Sequence, residues 1–471
     1  MPGSFYKGEV KTRPGSYYRT ENLSNRTAQV PTDIVAALFS ANWGALETPT
    51  LITSLSQKST LFGNAGNTEI IDLLLEQGAR VLAVRLGDTA TGTMGTYTVK
   101  DTTGAPVSVV TLTAKYKGDR DLRFTIRDSL FDASKRELLV FDVTTLLETI
   151  SFTKGAGGSG EPALLVDAVT ASSNWVTAAK LDDGNKILAA VSGVALTVAG
   201  TNPTIATAQY TSGAASLQGE TFSFVVIDSQ IAAEHAVVDA FVNSMETYGN
   251  PVIGVIGEPT TVALATRQAN AAAFNDHKIW YVGNGGIDSD LVEYEGWKAA
   301  AIVAGITAYR GAGKSNTHAV IDKFTSIKGT LSGDQIDTCI GNGMTVFTKN
   351  NNSQVQIDYG ITTLVVLPTD LDAGWKKQRR TYTRFELITR AKAATDLMIG
   401  QVNNDSSGQK LLMGQIYGVM GEMVNEGKLK DGGDVVLDPD YPADGDYVSF
   451  LIGVVDVDSA EKIYMTFQFQ F

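Results

Sequence analysis

Gly311-Ala-Gly-Lys314-Ser315 is the stretch of this chain with the most obvious chemical potential, because it matches the end of a phosphate-binding loop. In such a loop a Gly-rich turn follows a strand, backbone N–H groups surround the phosphates, and the lysine adds charge. Here the first glycine of the pattern is replaced by Ala308, and the residues before it, Trp297–Tyr309, read as a helix. Gly155, Gly157 and Gly160 have the spacing of a dinucleotide fingerprint but sit in the low-complexity run Gly155-Ala-Gly-Gly-Ser-Gly160, beside β structure. His235, His277 and His318 are far apart and lack metal-ligand spacing, and Cys339 is the only cysteine. The acidic run Asp431, Asp434, Asp438, Asp440, Asp444 and Asp446 contains no complete calcium loop, and no Gly-x-Ser-x-Gly elbow occurs. No cofactor or metal is expected. A nucleotide-binding α/β enzyme using Gly311–Ser315 is retained as the alternative reading.

A second cluster concerns charge. Lys376, Lys377, Arg379, Arg380, Arg384, Arg390 and Lys392 stand close together with Glu386 as the single acid among them, in a chain of net charge -13. Two readings stay open: a solvated helix entrance, or a local basic face for an acidic partner, where complementary charge sets orientation and encounter. The acidic balance of the whole argues against wrapping nucleic acid.

The elements that must position these groups belong to a large folded chain. At 471 residues it exceeds one core, and 43% hydrophobic with 19% charged residues argues against disorder for most of it. One cysteine excludes an internal disulfide framework and suits assembly in a reducing cytosol. No signal peptide or membrane span is expected, and the longest apolar stretch, Ile187 to Ala199, is broken by Ser192 and Gly193. That expectation counts against another reading, a secreted or cell-surface lattice protein.

Residues 1–33 read as an extended arm, with Phe5, Tyr6, Val10, Tyr17 and Tyr18 among Gly, Pro, Asn, Thr and Arg. From Ile34 a short strand leads to a helix near Asn67–Gln77 and a buried strand Arg80–Leu86. Residues 92–213 read as a β-rich insertion, with strands at Tyr97–Lys100, Val107–Thr113, Arg123–Arg127 and Leu138–Val143. Strand and helix then alternate: Thr221–Ile227, Ile231–Tyr248, Pro251–Gly257, Thr260–Asn275, Lys278–Gly283 and Leu291–Tyr309. That order predicts parallel crossovers and an α/β domain made of 34–91 and 214–334.

A further unit, 335–460, is expected to hold a hairpin across Lys349–Ser353 and two helices. One, Thr383 to Ile399, aligns Arg384, Ile388, Ala391, Thr395 and Met398. The other, Gln409 to Glu426, aligns Leu412, Ile416, Val419, Met420 and Met423. Both stripes read as core. In residues 461–471, Ile463, Met465, Phe467, Phe469 and Phe471 fall on one face of an extended chain. A strand with three Phe residues needs a ladder and a surface, in its own molecule or in a neighbour.

Arg13-Pro-Gly-Ser-Tyr-Tyr18, Gln77-Gly-Ala-Arg-Val-Leu-Ala-Val-Arg85, Ala114-Lys-Tyr-Lys-Gly118, Ala299-Ala-Ala-Ile-Val-Ala-Gly-Ile-Thr-Ala308, Gly374-Trp-Lys-Lys-Gln-Arg-Arg380, Gly400-Gln-Val-Asn-Asn404 and Ala460-Glu-Lys-Ile-Tyr464 occur in an order that spans nearly the whole chain. Together they resemble the tail sheath proteins of contractile-tailed bacteriophages and phage-tail-like bacteriocins, of the Gram-positive prophage type.

The resemblance implies a multidomain α/β and α+β fold. An α+β sheath core domain is built from both chain ends, with an α/β domain, an outward-facing β-rich inserted domain and extended N- and C-terminal arms. It implies no enzyme but a helical polymer of stacked rings around a tail tube, contracting to drive the tube through the target envelope. Partners would be copies of itself, the tail tube protein, and the baseplate and tail terminator proteins, without nucleic acid or membrane insertion. The expected location is the virion tail or bacteriocin particle, with assembly in the host cytoplasm. Terminal arms exchanged between subunits would use Phe5, Tyr6, Val10, Tyr17, Tyr18, Ile463, Met465, Phe467, Phe469 and Phe471. Lys376, Lys377, Arg379, Arg380 and Arg384 are the tube-facing candidates.

Overall fold

Six consecutive apolar residues, Ile34–Phe39, are all buried, which requires cover on both faces of the strand they form. In the computed structural model, which describes residues 33–155, 160–182 and 186–469, that strand lies near the middle of a seven-stranded sheet. The first elements are β1 (Ile34–Phe39), β2 (Thr50–Ile52), α1 (Leu55–Phe62), α2 (Glu69–Glu76) and β3 (Arg80–Arg85). An inserted module follows: β4 (Thr96–Lys100), β5 (Ser108–Ala114), β6 (Leu122–Asp128), β7 (Lys135–Asp142), β8 (Thr145–Thr153), α3 (Glu161–Ser172), β9 (Val176–Lys180) and β10 (Val191–Ala195). The chain then returns through α4 (Thr207–Ala215), β11 (Phe224–Ile227), α5 (Ala232–Thr247), β12 (Ile253–Gly257), α6 (Leu264–Phe274) and β13 (Ile279–Val282). After β14 (Gly285–Ile287) and β15 (Glu293–Tyr294) come α7 (Trp297–Arg310), β16 (Ser326–Lys328), α8 (Gly333–Gly341) and β17 (Met344–Thr345).

The main sheet has the order β17-β13-β12-β11-β1-β3-β2, parallel throughout except for β2. The expected crossovers are present, so the mixed α/β multidomain class holds. Val35, Ala37 and Phe39 face a layer containing α2 and α7, while Ile34, Ala36 and Leu38 face α4, α5, α6 and α8. The alternation follows from the two-residue period of a strand. Helix α7 is buried almost all round, and a Cβ on its Gly305 would come within 2.9 Å of the Gln77 Cβ, so the glycine permits the close approach of the α2 end.

The sheet layer reaches beyond the segment expected for it. Helix α4 begins at Thr207, before the expected boundary at 214. At the other end, α8 buries Cys339 in the layer and β17 pairs with β13, both past 334. The sequence reads as starting a new unit at 335, but pairing of β17 with β13 keeps the chain in the sheet.

The inserted module is built on two antiparallel sheets, β10-β6-β7-β8 and β4-β5-β9, with the helix α3, which was not anticipated, packed on their shared core. Trp43, from outside the module, completes that core: its ring stacks on Trp175 at 5.5 Å. The Arg120 guanidinium lies 4.7 Å from the Trp175 ring and 5.6 Å from Trp43, and donates to Asp142 at 2.7 Å. At the same seam a Cβ on Gly118 would fall 1.9 Å from the Asn42 carbonyl oxygen, a contact open only to glycine.

The chain continues through the hairpin β18 (Phe347–Lys349) and β19 (Val355–Ile357) to α9 (Gln378–Asp396), α10 (Ser406–Asn425), β20 (Asp434–Leu437) and β21 (Phe450–Gly453). Tyr382 and Phe385 of α9 pack into the main core, and Leu387 joins Ile416, Val419, Met420, Met423 and Val435 in a small second core. Strand β20 lies within what reads as an acidic loop, and pairs antiparallel with β21. Among the described residues no helix is long and apolar enough to cross a membrane.

Candidate functional site

The Gly311–Ser315 loop leaves a helix, not a strand. Gly311 ends α7 with φ 70° and its N–H bonds back to Thr307. The loop's hydroxyl is occupied: Ser315 donates to a Glu461 carboxylate oxygen at 2.7 Å, and Thr317 donates to the same oxygen at 2.9 Å. The anion held there is thus a carboxylate of the chain's own tail, and the nucleotide reading finds no support. Gly160 serves as the entrance to α3 with φ 79°, while Gly157 lies outside the described residues. His235 is buried with Nε2 3.3 Å from the Ser229 carbonyl, and burial lowers its pKa. The His277 ring packs edge-on to Trp375 at 4.5 Å and is lowered for the same reason. Among the described residues no group of His, Cys, Asp or Glu is placed to hold a metal.

The basic cluster is paired within the chain. Arg380 donates twice to Asp456, at 2.7 Å each, and Arg384 donates to Asp456 at 3.1 Å and to Asp372 at 2.8 Å. Lys377 contacts Asp458 at 2.9 Å and Glu461 at 2.7 Å, Arg379 donates to Ser459 at 2.6 Å, and Lys376 donates to the Val365 carbonyl at 2.5 Å. Burial alone would raise the Asp456 carboxyl, but the Arg380 and Arg384 guanidiniums override it and hold it at about 2. Arg390 and Lys428 meet Glu386, a carboxylate almost without exposure. Four of the charges that stand out in the sequence, Lys377, Arg379, Arg380 and Arg384, therefore hold residues 456–461 to the start of α9.

Beyond Glu461 the chain changes character. No strand forms between Lys462 and Phe469, and the apolar face stays in solvent: Ile463 is 74% exposed, Phe467 73% and Phe469 86%. Phe471 lies outside the described residues, as do Phe5, Tyr6, Val10, Tyr17 and Tyr18.

A second apolar surface is uncovered in the same molecule. Of the α9 stripe that reads as core in the sequence, Ala391 is buried, whereas Ile388 is exposed and Thr395 and Met398 are half-buried, and all four line open clefts between α9, α10 and β21. One cleft, of about 510 Å³, is bounded across from α9 by Val448, Phe450 and Ile452. The next, of about 460 Å³, continues past Ile452 and Val454 to Asp456 and Arg384. Residues 448, 450, 452 and 454 share one face of an extended chain. Among the described residues β21 pairs only with β20, so its other edge has no strand partner there beside these clefts. Periodicity identifies α9's apolar face correctly but carries no information on what covers it.

Residues 204–363, from the start of α4 through the β18–β19 hairpin, match the phage tail sheath protein central domain. The chain is similar to the sheath tail protein from Listeria innocua at 19% identity, covering 90% of this chain and 95% of that one, with a TM-score of 0.69. It is similar to the sheath tail protein from Desulfitobacterium hafniense at 18% identity, covering 94% and 100%, also with a TM-score of 0.69. The helical sheath of the anti-feeding prophage in its contracted state matches at 11% identity over 98% of this chain and 99% of that one, TM-score 0.52. No curated protein matches. The resemblance read in the sequence is thereby shown at the level of fold: residues 204–363 match the phage tail sheath protein central domain, and the chain as a whole has a fold similar to that of the sheath tail proteins.

Proposed function

We propose that this chain is the structural subunit of a contractile tail sheath, polymerising helically around a tail tube and contracting to drive it through a target envelope. It acts as a mechanical element, not as an enzyme. Its partners are further copies of itself, the tube protein, and the baseplate and tail terminator proteins. Its place is a virion tail or bacteriocin particle, assembled in the host cytoplasm.

One observation supports this reading most: the chain carries two uncovered apolar surfaces of matching kind, a strand-like tail and a cleft beside an unpaired strand edge. Ile463, Met465, Phe467, Phe469 and Phe471 alternate as a strand's buried face would, and β21 presents a free edge above the apolar side of α9. Insertion of one copy's tail along the β21 edge of another would supply both cover and backbone hydrogen bonds, each worth roughly 0.5–1.5 kcal/mol net. The ten residues after Glu461 can span about 33–36 Å when extended, enough to leave the body of origin. The aromatic N-terminal segment would serve another neighbour in the same way. Such links keep a lattice joined while the bodies rotate between an extended and a contracted packing. The inserted module faces outward, displayed from the body on the Trp43, Arg120 and Trp175 seam.

Electron microscopy of the purified full chain tests the proposal. Tubes of constant diameter are expected, with loss of tubes but retention of a folded monomer on deletion of Phe467–Phe471. A wild-type chain that stays dispersed at high concentration would contradict the sheath reading. Normal tubes from the truncated chain would contradict the role of the tail.

A further inference from the structure

The backbone ladder of the C-terminal unit ends at Val457, whose N–H bonds to the Lys428 carbonyl at 2.9 Å. From Asp458 to Glu461 the chain is held to the body by side chains alone: Asp458 and Glu461 on Lys377, Ser459 on Arg379, and Glu461 on Ser315 and Thr317. From Lys462 to Phe469 no hydrogen bond or ion pair to any other described residue is made, and every residue is exposed. The transition occurs at one residue. The Glu461 side chain is 6% exposed, and burying a carboxylate costs several kcal/mol unless charge and hydrogen bonds compensate it. Lys377 and two hydroxyls provide that compensation.

The partners of this short segment belong to two separate parts of the fold. Lys377, Arg379, Arg380 and Arg384 stand at the start of α9, whereas Ser315 and Thr317 belong to the loop that leaves α7, the most deeply buried helix. The ribbon β20–β21, by contrast, is short and rests on the small second core.

We propose that residues 456–461 are an ionic anchor for the C-terminal arm, with the pivot of the arm placed directly after Glu461. A pull on the arm then passes through Arg380, Arg384 and Lys377 into α9, and through Ser315 and Thr317 into the α7 layer, bypassing the weak ribbon. The anchor stays closed while the arm beyond it swings. This inference rests on the sheath reading for the existence of a pull, and it assigns a use to the Gly-Lys-Ser loop and the basic cluster that neither nucleotide binding nor tube contact requires.

The test compares wild type, Glu461→Ala and Glu461→Gln as full chains, reading the critical concentration for tubes by sedimentation and amide hydrogen exchange of Val457 in monomer and tube. A thermal melt of the monomer verifies folding. The anchor predicts wild-type protection of the Val457 amide, the last in the ladder, in both states. It also predicts faster exchange there in Glu461→Ala with a critical concentration raised roughly tenfold or more, and a smaller rise for Glu461→Gln, which keeps the hydroxyl contacts. Tubes from Glu461→Ala at the wild-type concentration would overturn the anchor while leaving the sheath reading intact. If wild type forms no tubes, the sheath reading fails, and the load-carrying role fails with it. Loss of protection at the Val457 amide in wild-type tubes would overturn the claim that the anchor stays closed.

Discussion

Replacement of Phe467 and Phe469 together by alanine separates stability from assembly. In the isolated chain these rings are 73% and 86% exposed, so their loss changes the folding free energy of the monomer by no more than about 0.5 kcal/mol. If the same rings are buried on a neighbour's β21 edge, each contributes about 1.5–3 kcal/mol, and the pair about 3–6 kcal/mol per link. At 1.4 kcal/mol per factor of ten, a single link weakens by roughly two to four powers of ten. Sedimentation across a concentration series reads this directly as the critical concentration for tubes, and a thermal melt of dilute protein reads the monomer. The expected result is an unchanged melt with tubes lost at all accessible concentrations. A critical concentration within about threefold of wild type would refute the argument that these rings are buried between copies.

Three further perturbations address other parts of the structure. Ile388→Asp places a charge in the open cleft at a position 44% exposed in the monomer, so the melt should stay within about 1 kcal/mol of wild type while tubes are lost; normal tubes would mean that the cleft stays empty on assembly. Asp456 is held at about 2, below the ordinary carboxylate value of about 3.9, so its contribution is fully present above about pH 4 and is lost as pH falls towards 2. After allowance for solvent screening this is about 1–2 kcal/mol, visible as a lower protection factor of the Val457 amide in acid, relative to its intrinsic rate at each pH, and Asp456→Asn should remove that acid dependence. Arg120→Ala removes the cation beside the stacked Trp43 and Trp175 rings and leaves Asp142 without it; a loss of about 2–3 kcal/mol is expected in urea unfolding followed by tryptophan fluorescence, and an unchanged midpoint would show that the seam does not hold the inserted module.

The alternation of strand and helix from Phe224 to Arg310 was legible because buried parallel strands read as unbroken apolar runs of four or five residues, separated by helices of crossover length. Strand β20 was not, since Asp434-Val-Val-Leu437 is only four residues within a run of aspartates, and its pairing with β21 depends on a contact no local pattern carries. Helix α3 was hidden for another reason: its apolar residues are spread round the axis, giving little periodic signal. Among the site residues, the strand pattern of the tail was plain, but a pattern of two tells which residues share a face and nothing about the molecule that covers it. The α9 stripe shows the same limit, since the spacing at Ile388, Ala391 and Thr395 reads as core, yet the structure buries Ala391 and leaves Ile388 and Thr395 at an open cleft. The basic cluster was conspicuous by charge, yet Asp456 and Glu461 stand more than seventy residues from Arg380 and Lys377, a separation across which sequence offers no pairing rule.

The most direct measurement is a density map of the assembled tube at a resolution that traces side chains. Residues 462–471 of each subunit should run along the β21 edge of an adjacent one, with Phe467 and Phe469 over Ile388 and Phe450. Continuous density returning each tail to its own body, with the clefts beside β21 empty or filled from within the same chain, would contradict the account.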